Sequence, residues 1–383
     1  MRVFIIAGEP SGDKLGGALM AGLRQLCGEV EFDGVGGALM TAQGLNSRFP
    51  MSELSVMGIA EILPKYRALK ARIKETAEAV VALQPDLLIT IDSPDFSFRV
   101  ARQVKAVSSI RTVHYVAPTV WAWRPKRARK IAAYIDHLLA LFPFEPPFFT
   151  PHGMACDFVG HPVAVEPQAR PAEVQAFRDA HRIGDAPILL VLPGSRDGEV
   201  RRLGAVFGSA VKPVLAKHPS LRVVVPAAAS VADTVATAVK AWPVEPIILD
   251  PRGASLGEAS AEKRAAFKAA EVALAASGTV SLELAAARTP MVIAYRMHWL
   301  SYGIIQRMAL VDTVTLVNLV SDTRAVPEFL GPRCQPDAIG AALLRTMDDP
   351  EAQIAAMNVT MARLGEGGEE PGLRAAKAVL SRL

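Results

Sequence analysis

Cysteine is scarce in this chain. The 383 residues hold three, Cys27, Cys156 and Cys334, too scattered for a disulfide framework or a metal-ligand spacing. That usage fits a reducing compartment. The seven histidines include no H-x-x-H or H-x-x-x-H pair, and no D-x-D occurs, so neither a metal nor any other cofactor is expected. G-x-S-x-G is missing, which leaves serine-hydrolase chemistry without a nucleophile elbow. A strict G-x-G-x-x-G is missing too, so dinucleotide binding is weakly supported. Long apolar runs are also lacking. The first, VFIIA at 3–7, gives way to Gly8-Glu9-Pro10, too short for a signal peptide or a membrane span. No later segment is long enough either. The expectation is a cytoplasmic chain whose membrane contact, if any, is peripheral. The net charge of +4 suits a phosphorylated ligand or an anionic surface and argues for no nucleic-acid partner.

What is present is α/β. At 51% hydrophobic and 21% charged residues, a chain of this length makes two or three domains with their own cores. Ile188–Leu192 is a continuous apolar run, as expected of a strand buried on both faces. Pro193-Gly194 stops it, and Ser195-Arg196 stand where a helix begins. Such a turn aims backbone N–H groups and the positive end of a helix dipole at one spot, which favours an anion. Arg196 adds a planar fork suited to phosphate oxygens. The alternative is an ordinary turn with a solvated arginine. ALAASGTVSLELAAA (273–287) repeats the arrangement, with Ser277, Gly278 and Thr279 at a helix start. Glu283, a turn further in, is a candidate for ribose hydroxyls or a plain surface glutamate.

The first half shows the same logic. VFIIA precedes a glycine turn, where Ser11, Gly12 and Asp13 either cap a helix or face a ligand at the sheet edge. LLITI (87–91) ends in Asp92-Ser93-Pro94-Asp95, two carboxylates at a strand's carboxyl end. One could serve as a general base toward a hydroxyl, or both could cap the turn. Residues 58–75 predict a basic amphipathic helix with Ile62, Tyr66, Leu69 and Ile73 on one stripe. The stripe packs into a core or lies on an anionic bilayer. Trp121, Trp123 and Arg124 precede the basic run Lys126, Arg127, Arg129, Lys130, which suits a membrane interface or a pocket for a phosphorylated sugar. Further strands are expected at 138–142, 222–226, 247–249 and 290–296. The stretch 163–186, rich in proline, reads as a hinge. The expected division is 1–165, 166–345 and a helical segment 346–383 that packs back on the first domain.

Motifs throughout the chain resemble the bacterial lipid A disaccharide synthase family, glycosyltransferases of the two-Rossmann (GT-B) type. They are AGEPSGD (7–13), VMGIAEIL (56–63), IDSPDF (91–96), HYVAPTVWAWR (114–124), FPFE (142–145), FVGHP (158–162), LPGSR with Glu199 (192–199), ASGTVSLE (276–283) and MVIAYR (291–296). The chain departs at Pro10, Ala117 and Thr119, and Val317 precedes Asn318 where the family commonly shows Pro-Asn. The resemblance implies two Rossmann-like domains facing across a cleft. It also implies transfer of a sugar from UDP-2,3-diacylglucosamine to the 6-hydroxyl of 2,3-diacylglucosamine 1-phosphate at an anionic membrane surface, namely the inner face of the cytoplasmic membrane. The expected base is Asp92, and the loop at Glu9, Ser11, Gly12 and Asp13 lies on the acceptor side. Ser195, Arg196, Glu199, Ser277, Gly278, Thr279 and Glu283 are expected on the UDP-sugar. Ile62, Tyr66, Leu69, Trp121, Trp123 and Arg124 are expected at the acceptor or membrane surface. A homodimer is left open. Other readings are another GT-B UDP-sugar enzyme, such as an epimerase or a peptidoglycan-type transferase, and a non-catalytic nucleotide-sugar-binding membrane protein.

Overall fold

The computed structural model describes residues 1–54, 59–297 and 308–383, without the side chains of 59–66. The chain divides into two compact units. One comprises Met1–Val165 with Leu364–Leu383, the other Glu166–Arg363.

The first unit is built on seven parallel strands, β1 (Arg2–Ala7), β2 (Glu31–Val35), β3 (Asn46–Ser47), β4 (Leu87–Ile91), β5 (Arg111–Tyr115), β6 (His137–Ala140) and β7 (Ala155–Phe158). Their order is β3-β2-β1-β4-β5-β6-β7. Val3–Ala7 and all of β4 are buried, because helices cover both faces of a parallel sheet and an unbroken apolar run satisfies both. The last helix, Pro371–Leu380, returns to lie against the first, Pro10–Cys27. Glycines allow that approach: a Cβ on Gly372 would lie 2.6 Å from the Ala18 carbonyl oxygen. Arg374 then donates to the Phe158 carbonyl at 3.2 Å, and Arg382 to Asp157 at 3.2 Å.

The second unit has six parallel strands, β8 (Ile188–Leu192), β9 (Arg222–Pro226), β10 (Ile247–Leu249), β11 (Val272–Ala276), β12 (Met291–Tyr295) and β13 (Glu328–Leu330). Their order is β10-β9-β8-β11-β12-β13. Counted from each unit's own first strand, both sheets run 3-2-1-4-5-6, and the first continues to a seventh strand. The order reverses beside the first strand, and the crevice outside that point is where open α/β sheets bind ligands. It lies between β1 and β4 in the first unit and between β8 and β11 in the second.

Several elements differ from the sequence expectations. The proline-rich stretch 163–186 contains a helix, Pro171–Ala180, started by proline and by Glu173, which accepts the Arg170 amide at 2.7 Å. Residues 346–363 stay with the second unit, and only 364–383 return to the first. The reason is polar as well as apolar: Gln353 accepts the Met291 amide at 2.8 Å, and Arg363 donates to the Val320 carbonyl at 2.7 Å. The basic helix runs Ile59–Leu83. Ile62 and Tyr66 lie outside the described side chains. Leu69 packs half-buried against the first unit's core and Ile73 is buried there, so the described part of the stripe faces inward. For Leu69 this corrects the membrane-surface expectation, since an apolar stripe beside an open core buries itself first.

Candidate functional site

The carboxyl end of β4 is strained. Asp92 and Ser93 have φ of 51° and 45°, left-handed values uncommon outside glycine. Surrounding bonds hold them there: the Asp92 amide donates to the Tyr115 carbonyl at 3.0 Å, and Ser97 Oγ donates to the Asp92 carbonyl at 2.7 Å. Pro94 then opens the helix Pro94–Val107. On the next strand Val116, β-branched, has φ 82°, with its amide on the Leu139 carbonyl at 3.0 Å. Each such residue costs roughly 1–3 kcal/mol, and strain of this kind gathers at functional sites.

These two loops wall a cavity of about 230 Å³, lined by Asp92, His114, Val116, Trp123, Arg124 and Arg127 among others. Burial pushes the Asp92 carboxyl above the usual aspartate range, opposed by a bond from the Ser93 amide. A half-buried carboxylate of raised basicity on a cavity wall is equipped to take a proton from a hydroxyl. His114 lies beside it, its Nδ1 2.8 Å from Thr90 Oγ1. Burial drives it down to about 3, and the charge on Arg127 adds to the shift, so the ring is neutral at physiological pH. Asp95 is exposed in the first helical turn, where a carboxylate complements the dipole. The two acids therefore part company: one lines the cavity, the other sits exposed in the helix's first turn.

The turn after β1 is built differently from the expectation. The helix begins at Pro10, so Ser11, Gly12 and Asp13 are helical, and Glu9 is the N-cap residue. Asp13 is buried and accepts the amides of Gly37, Leu39 and Met40 at 2.8, 2.9 and 3.0 Å. It caps the neighbouring helix Ala38–Ala42, so its carboxylate is committed internally and does not face a ligand. Gly12 is buried against Ala7 and Ile91, whereas Ser11 is exposed. Trp121 is likewise buried, not a surface residue. Its indole donates to Glu145 Oε1 at 3.3 Å and meets the Phe144 ring edge-on at 5.1 Å. Its apolar area and single donor are both satisfied inside. Trp123 and Arg124 are exposed, the guanidinium 3.8 Å from the indole centroid.

The second unit carries a pocket of about 640 Å³ at its switch point, lined by Gly194, Ser195, Arg196, Glu199, Lys263, Ser277, Gly278, Thr279 and Glu283 among others. All seven expected UDP-sugar residues come together on this wall, and Glu199 also braces it. Its buried carboxylate accepts the Ser195 amide at 3.1 Å and the Tyr295 hydroxyl at 3.4 Å. That amide is already taken, so Arg196, whose guanidinium is exposed 3.7 Å from Glu199, is the cation this turn offers. Glu283 is held by Lys263 Nζ at 2.6 Å. Around Gly278 there is open space on the side where a Cβ would point.

Sequence reasoning places four of these residues at no site. It reads His114 as a structural histidine, and Arg127 and Glu145 lie inside the basic run and a quoted motif, unseparated from their neighbours. Lys263 sits on a helix, Leu256–Ala269, with no motif to mark it. Among the described residues, no group of three or more His, Cys, Asp or Glu could hold a metal, and no helix is long and apolar enough to cross a membrane.

Two parallel α/β units of the same core strand order, each with a cavity at the carboxyl ends of its strands, define a two-domain fold of the GT-B kind. Solved structures of that fold resemble the whole chain. The UDP-GlcNAc 2-epimerase from Neisseria meningitidis, bound to UDP-GlcNAc, is 12% identical with a TM-score of 0.65, covering 100% of this chain and 99% of that one. Acinetobacter baumannii MurG is 13% identical with a TM-score of 0.55, covering 100% and 99%. The sequence is far more specific. A profile of the lipid-A-disaccharide synthetase family matches residues 3–380. The lipid-A-disaccharide synthase of Ruegeria pomeroyi is 64% identical over 383 residues, covering 100% of this chain and 96% of the relative. That of Rhodospirillum centenum is 49% identical over 387 residues, covering 100% and 94%. The chain belongs to the lipid-A-disaccharide synthetase family.

Proposed function

We propose that the chain transfers a sugar, with inversion, from UDP-2,3-diacylglucosamine to the 6-hydroxyl of 2,3-diacylglucosamine 1-phosphate. The products are a β-1,6-linked tetraacylated disaccharide 1-phosphate and UDP. The observation that carries the mechanism is Asp92, a half-buried carboxylate of raised basicity on a cavity wall. It takes the proton as the acceptor oxygen attacks C1 of the donor sugar, and the C1–O bond to the diphosphate breaks with its electron pair leaving on UDP. In the second unit's pocket Arg196 meets the diphosphate, where charge grows as that bond breaks. The amides at Ser277–Thr279 supply further donors. Glu283, braced by Lys263, accepts hydrogen bonds from the ribose hydroxyls in this reading. His114, neutral, adds no competing charge beside the base.

Acylated substrates reach such a protein from a membrane. We assign peripheral contact with the anionic inner face of the cytoplasmic membrane to exposed Trp123 and to Lys126, Arg129 and Lys130. The test is UDP release with the acylated donor, with and without the acylated acceptor phosphate. Release only when both are present supports the reading. Release from donor alone, or none with either, sinks it. An epimerase is the reading this assay excludes, since it would convert the donor sugar without an acceptor.

A further inference from the structure

We propose that Arg124 and Arg127 form the site for the phosphomonoester of the acceptor, on the same cavity wall as Asp92. This rests on the reading of that cavity as the acceptor site.

The two arginines issue from one turn, the Arg127 amide donating to the Arg124 carbonyl at 2.9 Å. Both line the cavity. Each guanidinium rests on an aromatic face, Arg124 on Trp123 at 3.8 Å and Arg127 toward Phe98 at 5.8 Å. Such stacking limits the plane of the fork before a ligand arrives. Several arginines elsewhere in the molecule are matched to acids, as Arg48 is to Asp33, Arg72 to Glu53 and Arg252 to Asp250. Among the described residues neither Arg124 nor Arg127 has a carboxylate partner. Arg127 is moreover half-buried, and its charge is felt by His114 and by Tyr134. A partly buried cation without a counter-ion is unfavourable until one is supplied.

The chemistry of the counter-ion follows from the charge of the wall. With Asp92 ionised and His114 neutral, two guanidiniums leave an excess of positive charge. A phosphomonoester, carrying about −1.5 to −2 near neutral pH, meets that excess and offers three acceptor oxygens, enough to serve both forks. A carboxylate has two oxygens and serves one fork. The cavity is on the scale of a single hexose, so the acyl chains must lie outside it. A sugar with a phosphate at C1 and a free hydroxyl at C6 carries its anion and its nucleophile on separate arms, one on each side of the ring oxygen. The guanidiniums would hold the first while Asp92 meets the second.

The same chemistry could come from the phosphate of a bilayer lipid, and the experiment separates the sources. Steady-state kinetics compare the acceptor 1-phosphate with the same acceptor lacking phosphate, for the wild type, Arg124→Gln, Arg127→Gln, Arg127→Lys and the double Gln variant. Melting temperature and UDP affinity serve as controls for folding and for the donor pocket. The expected result is a rise in KM for the phosphorylated acceptor of about ten- to 150-fold in the double variant, the range of a lost charge-assisted bond. KM for the dephosphorylated acceptor stays unchanged, and Lys at 127 recovers part of the loss. An equal loss on both acceptors, or none on either, overturns the assignment. Sedimentation with phosphatidylglycerol vesicles is expected to match the wild type. Loss of vesicle binding with intact acceptor preference would move the arginines to lipid headgroups and overturn it too. A wild type that turns over neither acceptor refutes the acceptor-site reading itself, and does so before any variant is compared.

Discussion

The two units share one strand order and put opposite kinds of turn at the same place in it. After the fourth strand, the first unit has Asp92 and Ser93 in left-handed backbone, the second has Ser277-Gly278-Thr279 beside open space. After the first strand, Gly8 is hemmed in by Ser93, whose Oγ would lie 2.4 Å from an added Cβ, while Gly194 folds over the Glu199 carboxylate. One switch point is crowded around a single carboxylate of raised basicity. The other is roomy, walled by small residues and one exposed guanidinium. Chemistry at one atom needs a fixed group, and that costs backbone strain. Holding a large polar ligand needs space and many weak donors. A common fold serves both because its scaffold is separate from its turns.

The largest effect that tests this contrast is at the crowded end. Asp92→Asn should lower kcat by ~10²–10⁴-fold while UDP affinity persists, because it keeps size and removes the base. More than about a tenth of wild-type activity would rule Asp92 out. The same variant carries a pH signature. Burial raises the Asp92 carboxyl in the folded state, so ionising it there costs stability, and its favourable contribution fades as pH rises through the folded value. The melting temperature of Asp92→Asn relative to wild type should therefore climb from acid to neutral pH. A constant gap would mean the carboxyl is ordinary.

Next in size is the roomy end. Arg196→Ala should weaken UDP binding by about ten- to 150-fold, read by calorimetry, and should slow turnover as well. Arg196→Lys should recover only part, since an ammonium lacks the planar pair of donors. Unchanged UDP affinity in Arg196→Ala would detach the diphosphate from this turn.

Smaller, and aimed directly at crowding, is a pair of glycine substitutions. Gly8→Ala forces Ser93 to move and should cost about 1–3 kcal/mol of stability and part of kcat. Gly278→Ala meets nothing within 4 Å, so its melting temperature should stay at the wild-type value. Equal behaviour of the two would erase the contrast between the switch points.

The smallest effect concerns Glu145, which lies under the cavity loop and accepts the amides of Leu141 and Phe142 at 3.1 and 3.0 Å as well as the Trp121 indole. Burial pushes it up to about 7. A raised folded value means its contribution is full below the ordinary carboxylate range and is lost as pH rises through about 7. The wild-type melting temperature should thus drop by a few degrees across that window, and Glu145→Gln should flatten the curve. A curve equally steep in both proteins would place the titration elsewhere.

Much of this was legible in the residues alone. Buried parallel strands are near-continuous apolar runs, so VFIIA, LLITI and ILLVL announced themselves, and so did the turns that follow them. Asp92, Arg196 and Ser277–Thr279 stood out because a strand's carboxyl end is a local address. The sequence thereby determined the α/β class, the repeated unit and which turns carry polar chemistry, since each depends on neighbours a few positions away. Tertiary structure alone decided how those groups are used. Asp13 and Asp92 follow strands equally, yet one caps a helix 24 to 27 residues downstream and the other faces a cavity. Glu199 turned out to brace its own turn, Trp121 to be buried on Glu145, and Leu69 to pack inward. Lys263 reaches Glu283 across 20 positions, and the last helix closes on the first through paired glycines. Partnership at such separations is set by how sheets and helices pack, and no local pattern of residue types records which acid meets an amide, which meets a cation and which is left for the substrate.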